Sequence, residues 1–422
     1  MIYTYPDYYK DFKCIADRCE DTCCAGWQIV IDDESLSRYK KYIDESTEND
    51  KKTSSDNHTF NERLNQSIDW QEGVFKQDGC RRCAFLNDSN LCDLYTALGE
   101  DSLCHTCASY PRHTEEYEGV REVTLSLSCP EVARMLLEKT DKATFYEVNT
   151  RASGDATDES NYDSSFDDSD YDDNSDYGDN SDYDDDFEDF DMLMFGILQD
   201  ARSVMIGIMQ DRTMDVVTRV NLLWCMAEDM QATIDEGAIF DCQDIIESYE
   251  QLIGHVDKAQ ELLSKMERSY SALSARESYT FDLSIFKYLY QMEVLNEEWE
   301  VDVDQASLAL YGQDAEYYEK LSTEFDCWLH TYKPNWQIQC EQIVVYFLAT
   351  YLCGAVYDGW VAAKVKMSVA SIFYIHRMLL AQWLRQGKAL SDYDIIRMVY
   401  RYSRELEHSD INLDELESCF AE

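Results

Sequence analysis

The spacing of apolar residues divides this chain into two unlike parts. From Asp191 onward, apolar positions recur every three to four residues over 191–210, 213–235, 241–268, 279–297, 314–332, 337–353, 361–386 and 391–408. That period lays them along one face of a helix, so it predicts helix after helix. Gly237, Gly254, Gly312, Gly354 and Gly387 punctuate some of these segments. Before residue 150 the runs are short. Gln28-Ile29-Val30-Ile31 predicts a brief strand, and Asp32-Asp33-Glu34 caps a helix with Leu36, Tyr39 and Ile43 on one face. Residues 44–60 read as a polar loop and 117–128 as extended. Cys129-Pro130-Glu131 then opens a helix carrying Val132, Met135 and Leu136, with proline where a missing N–H is harmless.

Between the two parts the pattern disappears. Residues 154–191 hold 18 Asp and Glu with no Lys or Arg, and a six-residue repeat (Asp168-Ser-Asp-Tyr171, Asn174-Ser-Asp-Tyr177, Asn180-Ser-Asp-Tyr183). Such a stretch has too little apolar surface to offset its ordering entropy, which predicts a disordered acidic insert. The expected organisation is therefore a mainly α protein. An irregular cysteine-rich metal-binding domain occupies 1–150, the insert 151–191 and a multi-helix domain 192–422.

Charge narrows the function classes. The chain has 36 basic and 85 acidic residues, a net charge of −49. Its bulk field repels nucleic acid and anionic membranes and attracts cationic surfaces such as lysine-bearing protein segments. The opening MIYTYPDYYKDFK lacks the apolar core of a secretory signal. No unbroken apolar run reaches the roughly 18 residues of a membrane span. Ile343–Val356 is shorter and is interrupted by Thr350 and Gly354. A cytoplasmic protein without a membrane association is expected, in a compartment that keeps thiols reduced.

Ten of the 16 cysteines lie in the first third, as Cys14-x4-Cys19-x3-Cys23-Cys24 and Cys80-x2-Cys83-x8-Cys92-x11-Cys104-x2-Cys107-x21-Cys129. Reducing surroundings and the adjacent pair Cys23-Cys24 argue against disulfides. Thiolates at short spacing suit zinc, which takes four in a tetrahedron, or an iron–sulfur cluster, which takes one per iron. The pairs Cys80/Cys83 and Cys104/Cys107 have zinc-like spacing. Other chemistries lack their signatures. No G-x-G, C-x3-C-x2-C, G-x-S-x-G, H-E-x-x-H or Walker sequence is present.

A resemblance carries the reading further. Phe12-Lys13-Cys14, Cys19-Glu-Asp-Thr-Cys-Cys-Ala-Gly-Trp27, Cys83-Ala-Phe-Leu86, Leu91-Cys92, Leu98-Gly99, His105-Thr-Cys107, Tyr110-Pro-Arg112 and Ser128-Cys-Pro-Glu131 resemble, in order, the flagellin lysine-N-methylase family. Glu341–Phe347, Ala355–Gly359 and Arg404–Asn412 continue the likeness. The cysteine part is also similar to a wider class of zinc- or iron-chelating domains. The family pattern contains Cys14, Cys19, Cys23, Cys24, Cys83, Cys92, Cys107 and Cys129, with Cys80 and Cys104 as extras, and is associated with an iron–sulfur cluster (4Fe–4S favoured, zinc the alternative).

The resemblance implies methyl transfer from S-adenosylmethionine to lysine amines of flagellin. A lysine amine must be neutral to attack, yet its ordinary pKa is about 10.4, so a base or a desolvating pocket is needed. Tyr357, Asp358, Glu405, Glu407 and His408 are the candidates. Each has an ordinary alternative: a turn for Tyr357-Asp358-Gly359, a solvated helix face for Glu405 and Glu407, a helix-end imidazole for His408. Arg112 either braces the cysteine site or holds a carboxylate. Two other functions stay open, a metal-binding adaptor for basic proteins and an iron–sulfur redox protein.

Overall fold

The computed structural model describes residues 1–49, 55–149, 190–265 and 275–421. Most of the predicted insert lies outside these residues. The helices are α1 (Asp33–Asn49), α2 (Ser55–Ser67), α3 (Asp93–Leu98), α4 (His105–Ser109), α5 (Pro130–Glu138), α6 (Met192–Met209), α7 (Val216–Asp235), α8 (Cys242–Glu250), α9 (Val256–Lys265), α10 (Ala275–Phe286), α11 (Glu297–Tyr311), α12 (Ala315–Tyr332), α13 (Trp336–Tyr351), α14 (Ala355–Asp358), α15 (Val361–Arg385), α16 (Asp392–Glu407) and α17 (Asp410–Ala421), and each predicted helical segment overlaps at least one of them. Several differ from the pattern: it does not predict α2, α3, α4, α11, α14 or α17, and of the predicted helix 279–297 only the part to Phe286 is α-helical, followed by a 3-10 turn to Tyr290. The segment 44–60 is mostly helical, as the end of α1 and the start of α2. The stretch 241–268 is broken into α8 and α9 at Gly254, whose φ of +77° a side chain would resist. Helix α11 was missed: Trp299, Val303, Ala306 and Leu310 form its buried face, but Glu297, Glu298 and Glu300 dilute the signal.

The N-terminal part also contains a sheet, of which the sequence announced only the extended stretch 117–128 that holds β5. β1 (Ile2–Pro6), β4 (Arg112–Tyr117), β5 (Val120–Leu125) and β6 (Phe145–Asn149) form one sheet in the order β4-β5-β1-β6. β4 and β5 are a hairpin closed by Glu118-Gly119, with Gly119 at φ +78° as a tight turn requires. β1 runs parallel to β5, Ile2 opposite Val120, and antiparallel to β6. A second, two-stranded pairing joins β2 (Ile68–Asp69) to β3 (Val74–Phe75). The Gln28–Ile31 segment is only an isolated bridge, Val30 to Val74.

Two apolar cores result. The larger joins sheet residues and α5 (Tyr3, Val123, Leu125, Leu127, Leu136) to the helices after residue 190. The smaller packs Ile29, Ile31, Tyr39, Leu64, Ile68, Phe75, Phe85 and Leu94 around Cys83 and Cys104. α13 is buried on nearly every side, from Cys340 to Thr350, which explains its unbroken apolar run. α6 and the span Trp336–Asp358 are long and apolar enough to cross a membrane by length and composition, but 50% and 78% of their residues are buried inside the protein. Thr124 and Glu122 on β5 are buried as well: Arg202 of α6 forms a two-pronged ion pair with Glu122, and Thr350 of α13 lies 3.5 Å from the Thr124 hydroxyl.

Candidate functional site

α16 positions the groups that the sequence singled out near the C-terminus. Ser391 and Asp394 form a reciprocal capping box at its start, which satisfies two otherwise unpaired N–H groups. Its far end, Arg404 to His408, runs into the N-terminal part of the protein. Arg404 donates from Nε to the Ser128 carbonyl at 2.9 Å and from Nη2 to the Asp21 carbonyl at 2.6 Å, and pairs with the Asp21 carboxylate at 2.5 Å. One guanidinium thus ties the turn between Cys19 and Cys23 to the segment before Cys129. His408 is the residue that caps α16. Its Nε2 lies 2.9 Å from Ser128 Oγ, and its ring lies 4.6 Å from that of Trp27 and 5.9 Å from that of Tyr110. Trp27 Nε1 donates to the Cys23 carbonyl at 2.7 Å. Burial, then the Arg404 charge, push the His408 imidazole down to about 3, so it stays neutral.

Glu407 lies beside this junction. It is half-buried and accepts hydrogen bonds from Tyr351 at 2.7 Å and from Tyr346, Ser403 and Ser126. Burial raises its carboxyl above the ordinary range, against the pull of these hydroxyls and of His113. His113 is held 2.7 Å from Glu115, with its ring 6.0 Å from that of Tyr351. Burial lowers its imidazole, but Glu115, Glu407 and Asp410 more than reverse this and raise it. The end of α16 therefore gathers the Glu407 carboxylate, three phenols (Tyr110, Tyr346 and Tyr351), two imidazoles and three serines in one nook.

Glu405 faces elsewhere. It is 3% exposed and accepts from the backbone N–H of Leu295 at 3.0 Å and Asn296 at 3.3 Å, so it is no solvated helix face. Burial pushes its carboxyl up to about 7 despite those donors. An unfolded glutamate ionises near 4.5, so between 4.5 and 7 the folded chain holds a proton that the unfolded chain has lost. Stability from this group is full below 4.5 and is lost as pH rises through about 7. Glu405→Gln is expected to remove that slope, about 3 kcal/mol in all, in urea unfolding followed over this pH window. An unchanged slope would show that Glu405 does not carry it.

The structure does not bring Tyr357 and Asp358 to the nook. Tyr357 is 65% exposed, stacks on Tyr117 with ring centres 6.1 Å apart, and donates to the Glu116 carbonyl at 3.3 Å. Asp358 accepts from the Trp360 N–H at 2.7 Å and pairs with Lys364 at 2.9 Å, beside the left-handed Gly359. Arg112 lies over the rings of Tyr9 and Phe12. The groups that sequence reasoning passed over are Trp27, Ser126, Ser128, His113, Tyr346, Tyr351 and Arg404. Four of these sit inside the resembling motifs (Trp27, Ser128, Tyr346, Arg404), which was the available signal. Ser126, His113 and Tyr351 had none.

All 16 cysteines are free thiols. Cys24, Cys92 and Cys107 pack on the smaller core around Cys83 and Cys104, while Cys129 belongs to the larger one. The Cys83 N–H donates to the Cys24 carbonyl at 2.8 Å, and Leu86 bridges to Cys92. Burial, followed by the nearby thiols of Cys24, Cys92 and Cys104, pushes Cys83 up to about 12. On the other side, burial, then Cys19 and Cys14, push Cys129 up to about 11. The Cys23 hydrogen bond lowers Cys24 to about 7, and a bond to Cys107 likewise lowers Cys104. Neighbouring thiols, two of them lowered by a bond to the next thiol, have the chemistry of ligands for a soft or borderline cation. Among the described residues, no three His, Cys, Asp or Glu side chains yet converge to hold an ion.

A model of the FliB lysine N-methylase C-terminal domain matches residues 202–422, just over half of the chain. The chain belongs to the FliB lysine N-methylase family. Lysine-N-methylases of Salmonella choleraesuis and Salmonella typhimurium are each 32% identical to it over 138 residues, 33% of this chain and 33% of theirs. The flagellar biosynthetic protein FliU of Salmonella muenchen is 31% identical over 138 residues, which is 33% of this chain and 78% of that protein. The likeness therefore spans about a third of the length of the two lysine-N-methylases. No solved structure matches. The FliB domain supplies Tyr346, Tyr351, Ser403, Arg404, Glu407 and His408 to the nook, and the segment before residue 202 supplies Trp27, Tyr110, His113, Ser126 and Ser128.

Proposed function

We propose that this chain is a protein-lysine N-methyltransferase that uses S-adenosylmethionine, acts on flagellin lysines in the cytoplasm, and binds an iron–sulfur cluster or zinc through its N-terminal thiols. The observation that carries the reading is the nook at the end of α16, built by the family's own C-terminal domain around the half-buried Glu407. A lysine ammonium must shed a proton before its nitrogen can attack a methyl carbon. Glu407 takes that proton: its raised carboxyl is a stronger base than an exposed glutamate. Tyr346 and Tyr351 hold the carboxylate in place, and His408, kept neutral against Trp27, adds no competing positive charge. One methyl passes to nitrogen, the sulfonium becomes a thioether, and one proton leaves per transfer. Orientation of the two reactants supplies the remainder of the acceleration.

The metal, held by cysteines among Cys14, Cys19, Cys23, Cys24, Cys83, Cys92, Cys107 and Cys129, would order the turn that presents Trp27. The names of the relatives, one a flagellar biosynthetic protein, support flagellin as the substrate. The charge of −49 suits lysine-rich partners. The rate at limiting flagellin is therefore expected to fall as ionic strength rises, and a rate indifferent to salt would remove charge steering from the account. The reading itself is tested with S-adenosylmethionine labelled in its methyl group. Label recovered in the lysines of hydrolysed flagellin supports it, and label left wholly in solution with metal-replete protein defeats it.

A further inference from the structure

We propose that the outer edge of β4 holds the protein substrate: an extended, lysine-bearing segment of flagellin adds to the sheet beside Arg112–Tyr117 and sets its target lysine opposite His113, at the Glu407 nook. The inference rests on the reading of flagellin methylation above and adds how the substrate is held. β4 ends the sheet, with β5 on one side and no strand on the other among the described residues. It pairs with β5 without a bulge, from Arg112 opposite Leu125 to Tyr117 opposite Val120. The two-residue loop makes Tyr117 and Val120 a hydrogen-bonded pair, and such pairs alternate along an antiparallel ladder. The backbone groups of Tyr117, Glu115 and His113 therefore serve β5, and those of Glu116, Thr114 and Arg112 point away from it. The Tyr357 hydroxyl agrees with this, since it reaches the Glu116 carbonyl at 3.3 Å from outside the sheet. The Glu116 N–H and both backbone groups of Thr114 and Arg112 have no hydrogen-bond partner among the described residues. A regular edge of this kind is a template for one more strand.

The side chains of β4 sort by face. His113, Glu115 and Tyr117 are partly or fully buried, and Arg112, Thr114 and Glu116 are exposed. A residue added opposite His113 carries its side chain on the His113 face. That face meets the nook: the His113 ring lies 6.0 Å from the ring of Tyr351, whose hydroxyl donates to Glu407 at 2.7 Å. The flexible four-carbon stem of a lysine carries its amine from there toward Glu407. Charge selects the occupant. Glu115, Glu116 and Glu118 lie on the hairpin of a chain with a net charge of −49. A second copy of this edge is repelled, and a lysine-bearing segment is attracted. The opposite edge, β6, is three strand spacings away, about 14 Å, so a segment added there is remote from the nook.

The test uses full-length, metal-replete protein and short fluorescent peptides, each with one flagellin lysine and its flanking residues. Anisotropy gives Kd for each peptide and for copies methylated at one backbone nitrogen at a time. An added strand turns alternate N–H groups toward β4, so backbone methylation should weaken binding about tenfold or more at every second residue and leave the residues between unaffected. Thr114→Pro removes one outward N–H, a change that edge strands accept. It should raise Kd for whole flagellin about tenfold, while Thr114→Ala, which keeps the N–H, should not. The peptide scan leaves the protein unaltered, so it decides the question should Thr114→Pro unfold. Equal tolerance of backbone methylation at every position, or equal affinity of the two Thr114 variants, overturns the strand proposal and leaves lysine methylation standing. Failure of both the unmodified peptides and whole flagellin to bind overturns the proposal together with flagellin as substrate. A wild-type dimer that Thr114→Pro dissociates places a second copy on the edge and overturns it too.

Discussion

Glu407→Gln is expected to slow methyl transfer by about 100-fold or more, the usual contribution of a positioned general base. Glutamine keeps the size of the side chain and can still accept from Tyr351 and Tyr346, while its amide can donate to the hydroxyls of Ser403 and Ser126. The fold should therefore survive, and the loss should appear in kcat. The pH profile carries the second half of the prediction. Glu407 acts only when ionised, and burial raises its carboxyl. The wild-type rate should climb as pH rises through that raised value, and the limb should vanish in Glu407→Gln. The groups facing Glu407 (Tyr346, Tyr351, Ser126, Ser403 and, through its charge, His113) come from four elements or their flanks, and His113 is paired with Glu115, so His113→Gln should shift this limb without removing it. A limb that persists in Glu407→Gln would transfer the base role to another group.

The largest expected loss of stability is at Glu341. This carboxylate is fully buried in α13, with Arg212 at 2.8 and 2.9 Å and Arg219 at 3.0 Å. Arg219 is itself only 2% exposed. Glu341→Ala leaves that guanidinium buried with no opposing charge, at a cost of about 3–5 kcal/mol. Arg212 has a third of its side chain in solvent and can turn outward, so Arg219 carries most of the effect. Denaturant unfolding with an unchanged slope measures it. A cost below about 1 kcal/mol would show that water reaches Arg219. Glu341 opens one of the resembling motifs, and its position in the core explains the charge in an otherwise apolar run without a catalytic role.

The sequence made the helices legible because their apolar faces repeat at the helical period, as in α6, α7, α15 and α16. It showed 117–128 as extended but left the sheet's pairing illegible, because β1 pairs with β5 across more than a hundred residues and neither strand announces a partner that far away. α11 shows a subtler limit: its face is periodic, but three early acidic residues lower the contrast. The candidate site was half legible. The motifs containing Trp27, Tyr110, Ser128 and Arg404–His408 could be read in order, yet nothing in one dimension says that they meet. Glu405 and Glu407 show why residue type is not enough. Two residues apart on a helix, they point about 200° apart. One side of α16 faces the turn at Leu295 and Asn296 and the other faces two tyrosines. Only packing tells which glutamate caps a backbone and which stays available for chemistry. The cysteines behave likewise: their spacing suggested C-x2-C pairs, while the cores sort them by location.

The most direct measurement is the intact mass of flagellin after incubation with S-adenosylmethionine and anaerobically purified, metal-replete protein, run side by side for the wild type, Glu405→Gln and Glu407→Gln. The account predicts methylene-sized increments on lysines with the wild type and with Glu405→Gln, and almost none over the same time with Glu407→Gln. Unmodified flagellin with the wild type, or increments from Glu407→Gln at the wild-type rate, would contradict it.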